Sequence, residues 1–430
     1  MRVKSLKMQN FRGFENLTLD FSETEPTVFF GINGVGKSSI LDCLAILLSR
    51  ILTEVQTFRS LKSSRPLILK ESDISSEKDE CANEALIFLK TSSEFIVKSS
   101  IFKAKHTYAH AEQQIDEAII FQKYIYDELK SSPDANIPFA VYYSINRHLS
   151  EVILEDGGEQ YSNQFAAYDQ AILDGGIYFE DFFYWFKSTE DYENEVRLNT
   201  DIRYQNHQLQ SVRNAIYQLI PTFSNLRVRR SPPLRMTVNK KLGDQEQELT
   251  INQLSDGEKC LLAMVGDIAR RLAIANPGLE NPLEGEGVVL IDEIELHLHP
   301  AWQRQIIPAL TRTFPNCQFI CTTHSPQVLS ELKPESIYCL ERTEEGQVIA
   351  YHPHNPYGKD SNYILEVLMG VTERPKRIKE QLLELFRLIE TGQLEEAKRL
   401  QRRLEAEIGE DEPEFAKADV LIRRREAIGR

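Results

Sequence analysis

Gly31-Ile32-Asn33-Gly34-Val35-Gly36-Lys37-Ser38 stands between the apolar run Pro26-Thr-Val-Phe-Phe30 and the stretch Ser39-Ile-Leu-Asp-Cys-Leu-Ala-Ile-Leu-Leu48. The first flank reads as a buried strand and the second as a mostly apolar helix. The segment between them is a phosphate-binding loop. Its glycines let the backbone turn N–H groups inward around an anion, Lys37 adds a point charge, and the Ser38 hydroxyl is a ligand for Mg²⁺. The helix that follows offers unpaired N–H groups and a positive dipole end to the same phosphates. Asn33, Gly34, Gly36 and Ser39 complete the expected cradle. A bare Gly-rich turn would say little, but strand, loop, Lys-Ser and helix in this order fix the ligand class as a nucleoside triphosphate with Mg²⁺.

The 430 residues suffice for two or three lobes. With 65 acidic residues against 50 Lys and Arg, the formal charge is −15. General attraction to nucleic acid or to an anionic membrane is therefore not expected, although a local basic groove remains compatible with it. No apolar stretch has the length of a membrane span, and the start Met-Arg-Val-Lys-Ser-Leu-Lys lacks a signal peptide's apolar core. The cysteines at 43, 81, 260, 317, 321 and 339 form no Cys-x-x-Cys pair and read as small core residues. A cytoplasmic protein without a membrane partner is the expectation.

Outward from the loop, residues 1–21 alternate as a β-hairpin around Asn10-Phe11-Arg12-Gly13-Phe14, and 84–90 with 94–102 read as a second antiparallel pair. A helical pattern from about 110 to 130 precedes the strand-like Pro138–Tyr143. The stretch 150–225 is polar and aromatic, with no sustained heptad. Strands resume over 226–251, a helix spans 258–275, and apolar strands lie at 288–292, 317–322 and 336–341. Residues 361–430 look helical. The expected divisions are 1–105 (first half of an ATPase core), 106–225 (mixed insert), 226–350 (second half) and 351–430 (helical lobe).

Val288-Val-Leu-Ile-Asp292-Glu293 ends an apolar strand in two acids. At the carboxyl end of a buried parallel strand such acids can reach a ligand: Asp292 to hold Mg²⁺, Glu293 to orient or deprotonate the attacking water. Alone, a strand ending at Asp-Glu is commonplace. Gln253-Leu254-Ser255-Asp256-Gly257-Glu258 opens a helix; taken alone, Ser255-x-x-Glu258 is a capping box, yet the same N-terminus can hold an anion. His324, in Thr322-Thr-His-Ser-Pro326, follows an apolar strand where a contact to a γ-phosphate competes with a structural role.

Taken in order, these segments resemble the ATP-binding-cassette heads of the SMC, RecF and OLD-nuclease relatives. The likeness rests on Gly31–Ser38 as Walker A, Leu254–Glu258 as the signature, Leu290–Glu293 as Walker B and His324 as the switch histidine. Asn10-Phe11-Arg12-Gly13 resembles the opening of those heads, and Glu295-Leu-His-Leu-His-Pro300 their D-loop. The resemblance implies an α/β P-loop head of the ABC type with an antiparallel β-subdomain, a mixed insert and a helical C-terminal lobe. It implies a homo-oligomer, a head-to-tail dimer in which Ser255, Gly257 and Glu258 meet nucleotide held by the opposite chain, with Arg12 near the nucleotide. Lys37, Glu293 and His324 are then the catalytic residues, and Ser38 and Asp292 the metal ligands. One part departs from the pattern: the loop after strand 139–143 reads Ser144-Ile-Asn146-Arg147-His148, without the glutamine such heads carry. Asn146 or Arg147 is the substitute.

Length, the motif Tyr142-Tyr143-x-x-Asn146-Arg147 and the tail Tyr357-Gly-Lys-Asp-Ser-Asn362 look like the ATPase subunits of Septu anti-phage systems and their retron-associated relatives. That narrower likeness implies antiviral defence and a separate HNH nuclease subunit as partner. A RecF- or SMC-like DNA-repair or DNA-organising ATPase without an effector is the alternative. Residues after His324 show no clustered acids of a nuclease domain. A transporter subunit fits the large insert poorly. The run Leu226–Lys241, with six bases and no acid, offers DNA a local contact or is simply the polar face of a strand pair. His297-x-His299 and His352-x-His354 lack the acidic or Cys partners of a metal site.

Overall fold

The computed structural model describes residues 1–57, 66–90, 94–105, 116–147, 163–172 and 175–428. It divides into two compact units, Met1–Lys359 and Asp360–Arg430.

The first unit holds thirteen strands among the described residues. The amino-terminal hairpin is β1 (Arg2–Phe11) and β2 (Phe14–Asp20), followed by β3 (Thr27–Gly31), β4 (Glu80–Lys90), β5 (Glu94–Ala104) and β6 (Phe139–Tyr143). Then come β7 (Phe223–Arg229), β8 (Arg235–Leu242), β9 (Gln245–Thr250), β10 (Gly287–Ile291), β11 (Cys317–Thr322), β12 (Ile337–Arg342) and β13 (Val348–Tyr351). They form an antiparallel sheet β2-β1-β4-β5, a six-stranded sheet β13-β12-β3-β11-β10-β6 and an antiparallel ribbon β7-β8-β9. The hairpin and the 84–102 pair expected from sequence are therefore one sheet, joined where β1 runs antiparallel to β4.

In the six-stranded sheet all strands are parallel except the edge strand β13. Every residue of β6, β10 and β11 is buried, which explains why they read as unbroken apolar runs rather than alternating ones. Helix α1 (Lys37–Thr57) follows β3 directly. Of the helical stretch expected near 110–130, α2 spans Asp116–Ser131; residues 110–115 lie outside those described, as does His148 after β6. The insert supplies α3 (Phe179–Asn199) and α4 (His207–Leu219), and α5 (Asp256–Ala275) leads to β10. Adjacent residues of β6 point to opposite faces: the Tyr142 hydroxyl donates to Asp42 of α1 at 2.8 Å and that of Tyr143 to Asp267 of α5 at 2.8 Å.

In the second unit the helices Lys376–Glu390, Leu394–Ile408 and Pro413–Ile428 bury a core of their own, including Leu385, Leu404 and Phe415. No helix of the described residues is long and apolar enough to cross a membrane. All six cysteines are buried free thiols.

Candidate functional site

Parallel neighbours bring their carboxyl ends to the same edge of a sheet, the usual place for a ligand in such folds. Here β3, β11 and β10 are adjacent, so the loop after β3, His324 after β11 and Asp292-Glu293 after β10 meet although nearly 300 residues of sequence separate the first from the last.

In the phosphate loop, Asn33, Gly34 and Ser38 are exposed, while Lys37 is buried and its ammonium donates to the carbonyls of Gly31 (2.9 Å) and Ile32 (3.1 Å). Burial pulls the Lys37 pKa down, and the charges of Asp292, Glu293 and Glu295 partly restore it. A cation held among main-chain oxygens and three acids is ready to exchange those oxygens for phosphate. Gly36 has φ +113°, and a Cβ there would lie 2.6 Å from the Phe14 ring. The turn of the amino-terminal hairpin is thus packed under the loop, and only glycine fits between them.

From the same turn, Arg12 (φ +50°) reaches α1. Its guanidinium pairs with Asp42 at 2.5 Å and Asp73 at 2.9 Å, and lies 3.4 Å from the Ser39 hydroxyl. Burial opposes the Arg12 charge, but the two carboxylates outweigh it and hold the pKa above its ordinary value. Arg12 and Ser39 therefore brace the first turns of α1 in this structure. Arg12, Asp42, Tyr142, Asn146, Ser38 and Asp292 all border one cavity of about 350 Å³.

Asp292 is 2 % exposed; its Oδ1 accepts the Thr322 hydroxyl at 2.5 Å. The same Thr322 oxygen accepts the Glu293 N–H at 2.7 Å. Glu293 has φ +48°, a region few non-glycine residues enter and one often found at functional sites. Thr323 donates to Glu295 at 2.7 Å, and the His324 N–H donates to the other oxygen of that carboxylate. Burial first, then the Lys37 charge, lower the His324 pKa against the opposing pull of Glu295, Glu293 and Asp292. The imidazole thus belongs to the same electrostatic cluster as Lys37 and the acids. Thr322 and Glu295, which lock this cluster together, escaped sequence reasoning. One lies inside a strand pattern, and the other was noted only as the start of a loop.

Of the two residues proposed to replace the missing glutamine, Asn146 is exposed at the cavity, whereas Arg147 is turned inward and 2 % exposed. Arg147 donates to the Ser144 carbonyl at 3.0 Å and to the carbonyls of Asp292 and Glu293. Of the two, Asn146 is therefore the one at the cavity, where Ser144 and Ile145 of the same loop also lie.

Ser255 is the N-cap of α5, and its box with Glu258 is complete: the Ser255 hydroxyl accepts from the Glu258 N–H and donates to the Glu258 carboxylate at 2.9 Å. Ser255 is exposed, Gly257 half-buried and Glu258 buried, with Lys240 on its carboxylate at 2.6 Å. Burial would raise the Glu258 pKa, but Lys240 and Ser255 prevail and lower it. Glu258 thus faces the interior, and Ser255 presents its side chain to solvent beside the exposed Asp256. Gly257 packs on the D-loop, where a Cβ would stand 2.4 Å from the His297 carbonyl oxygen.

Most of the bases of the strand pair are matched by acids, while Arg235 donates to the carbonyls of Ser231 and Pro233 and Lys241 is exposed. Arg227 and Arg229 pair with Glu248 of β9, Arg230 with Glu190 and Asp191, and Lys240 with Glu258. Hydrogen bonds from Arg229 and Thr237 hold the Glu248 carboxyl down at about 2. As for the histidine pairs, His299 caps the helix Pro300–Thr313 and His352 hydrogen bonds the Ile337 carbonyl. Among the described residues no group of three or more His, Cys, Asp or Glu side chains is arranged to hold a metal ion. For Mg²⁺ the fit is of another kind: the Ser38 hydroxyl and the Asp292 carboxylate, both oxygen donors on the same cavity, suit a hard cation that keeps waters and shares phosphate ligands.

Residues 27–330 match the family model described as "AAA domain, putative AbiEii toxin, Type IV TA system". The chain is 30 % identical to the retron Ec83 probable ATPase of Escherichia coli, over 99 % of this chain and 87 % of the relative. It is 29 % identical to the retron Vc95 probable ATPase of Vibrio cholerae serotype O1 biovar El Tor, over 91 % and 83 %. The Septu protein PtuA of Bacillus thuringiensis is 24 % identical, over 86 % and 85 %. With the family match spanning most of the chain and a phosphate loop, paired acids and histidine at adjoining strand ends, the protein belongs to this AAA-domain family of P-loop ATPases.

Proposed function

We propose that the chain is an ATP-binding, slowly hydrolysing subunit that dimerises head to tail over nucleotide and controls a separate nuclease effector in anti-phage defence. What supports the dimer is where the contacts of the two groups run within one chain. Lys37, Glu293 and His324 share one electrostatic cluster at the ends of β3, β10 and β11. The contacts described for Ser255, Gly257 and Glu258 run instead to Lys240 and the D-loop carbonyl of His297. In this reading the exposed N-terminus of α5 receives an anion from a second molecule, and a second copy of this chain would bring the matching phosphate loop.

In this reading Lys37 and the N–H groups of Asn33–Ser39 bind the β- and γ-phosphates. Ser38 and Asp292 would hold Mg²⁺, which when bound neutralises charge on those phosphates. The Glu293 carboxylate orients the attacking water, and the His324 ring donates to or accepts from the γ-phosphate region. Asn146 faces the cavity where the missing glutamine would stand. The retron and Septu relatives supply the defence setting. An HNH nuclease as effector follows from the Septu likeness. The pairing of Arg227, Arg229 and Arg230 with acids weakens the case for direct DNA contact by this chain.

The test is a pair of substitutions. Glu293→Gln should bind ATP and accumulate ATP-dependent dimers in size-exclusion chromatography, whereas Lys37→Ala should lose nucleotide binding by calorimetry. Equal nucleotide affinity in Lys37→Ala and the parent would reject the assignment. Effector control is tested by co-expressing the chain with an HNH nuclease subunit of the Septu kind: cleavage indifferent to Lys37→Ala would remove that part alone.

A further inference from the structure

Arg147 has a place that a nucleotide-contacting residue would not have. It lies just past β6, its guanidinium is buried, and it is spent on main-chain oxygens rather than on side chains facing the cavity. Two of those oxygens are the carbonyls of Asp292 and Glu293 themselves. Charge-assisted bonds of this kind are stronger than neutral ones, and a guanidinium spans two neighbouring acceptors with a fixed fork that no other side chain reproduces.

Glu293 needs such support. Its φ of +48° is disfavoured for a residue with a Cβ, so its peptide must be held from outside. The Thr322 hydroxyl holds its N–H at 2.7 Å, and Arg147 with the Leu296 N–H (2.9 Å) holds its carbonyl. With both ends of the residue fixed, the direction in which its side chain leaves the backbone is set before any nucleotide arrives. The Arg147 charge also acts on the buried Cys260 thiol of α5, the helix whose N-terminus carries Ser255. Behind it, Tyr143 ties β6 to Asp267, which takes Arg270 and Arg271 of the same helix at 2.7 and 2.8 Å.

We propose that Arg147 is a positioning residue for hydrolysis: it orients Glu293 through the backbone carbonyls of the Walker B acids. The inference rests on the role given to Glu293 above. It assigns no contact between Arg147 and ATP, so its removal should be felt in turnover and not in binding.

The experiment uses the full chain and two variants, Arg147→Lys, which keeps the cation but loses the fork, and Arg147→Met, which removes both. Binding of a fluorescent ATP analogue and far-UV circular dichroism report on the fold and the ground state. Expected is a fall in kcat of about 10- to 100-fold with KM within about twofold of the parent, the pattern of an interaction that matters only on the way to the transition state. In a Glu293→Gln background, Arg147→Lys should cause no further fall in residual turnover, because the group it orients is already gone.

A parental kcat in Arg147→Lys would overturn the inference. So would a KM rising in step with the loss of kcat, or a further fall in the Glu293→Gln background. Should both variants lose fold and nucleotide together, Arg147 is a packing residue and the inference falls as well. Parental turnover in Glu293→Gln alone would instead sink the role of Glu293. A dead Glu293→Gln beside an undisturbed Arg147→Lys sinks only what is inferred here.

Discussion

Replacing Gly257 by alanine separates the two readings of the α5 N-terminus. In a helix this exchange ordinarily stabilises, by up to about 1 kcal/mol, because glycine loses more backbone freedom on folding. Gly257 is the second helical residue of α5, and its φ is not in the left-handed region, so alanine meets no backbone obstacle. What opposes it is the His297 carbonyl oxygen, 2.4 Å from where the Cβ would sit. Restoring ordinary contact needs a retreat of about 1 Å by one backbone or the other. Overpacking of this order costs about 1–3 kcal/mol, so the net effect is a loss of about 0–2 kcal/mol where a solvent-facing helix would gain. The displacement falls between the signature and the D-loop, hence on the surface that would meet the second protomer. Thermal unfolding should give a midpoint at or below that of the parent. Size-exclusion chromatography in a Glu293→Gln background should show ATP-dependent dimer reduced at least tenfold, with nucleotide affinity of the monomer unchanged. A raised midpoint together with undiminished dimer would refute the reasoning, because it would mean that the D-loop does not constrain the helix start.

His324 should titrate below 6.5 in the nucleotide-free protein, since burial and Lys37 both oppose its charge. Nuclear magnetic resonance of the ring protons reads the midpoint directly, and Lys37→Met should move it upward by deleting a repelling cation; a midpoint above 6.5 in the parent would contradict this. The sign for stability follows: the folded state binds the proton less readily than the unfolded one, so this histidine costs nothing above pH 6.5. Its contribution becomes destabilising as pH falls from 6.5 through the lower folded value. For the β7-β8 strands, filter binding of duplex DNA at two salt concentrations should be indifferent to the double substitution Arg227→Ala, Arg229→Ala. If the two arginines did meet phosphates, the log–log salt slope would instead flatten by about 1.8.

Much of this site was legible because its parts sit at element boundaries. Gly31–Ser38 announces itself by the order strand, loop and helix, and Val288–Glu293 by an apolar run that stops at two acids. A fully buried parallel strand has little choice but to be apolar until it surfaces, and where it surfaces chemistry becomes visible. The supports were not legible for the converse reason. Thr322 continues a strand pattern that any β-branched residue would satisfy, and only the pairing of β10 with β11 shows that its hydroxyl serves both Asp292 and Glu293. The basic run 226–241 misled through a related blind spot. Charge along one strand is visible in sequence, whereas Glu248 on the neighbouring strand and Glu190 on α3 become its partners only in three dimensions. Arg147 stood in plain view as a substitute for a glutamine. Its direction, inward to carbonyls rather than outward to the cavity, depends on burial that no local pattern encodes.

The capping box bears on how a shared-nucleotide dimer of the proposed kind would close. In the single chain Ser255 donates its hydroxyl proton to Glu258, so a phosphate from a second protomer has to displace that bond. A bare carboxylate left near a triphosphate would repel it, and closure would be opposed. Lys240, 2.6 Å from the other carboxylate oxygen, changes the balance: Glu258 keeps a charged partner when Ser255 turns away, and the pair as a whole is neutral toward the incoming phosphate. The exchange is then one hydroxyl-to-anion bond for another, worth about 1.5–3 kcal/mol on each side, and nearly cancels. Closure would be driven by what the phosphate gains from the free N–H groups of the first turn of α5 and by the protomer contact itself. It would therefore be governed by nucleotide occupancy rather than by breaking the cap, as a subunit that signals through its bound nucleotide requires.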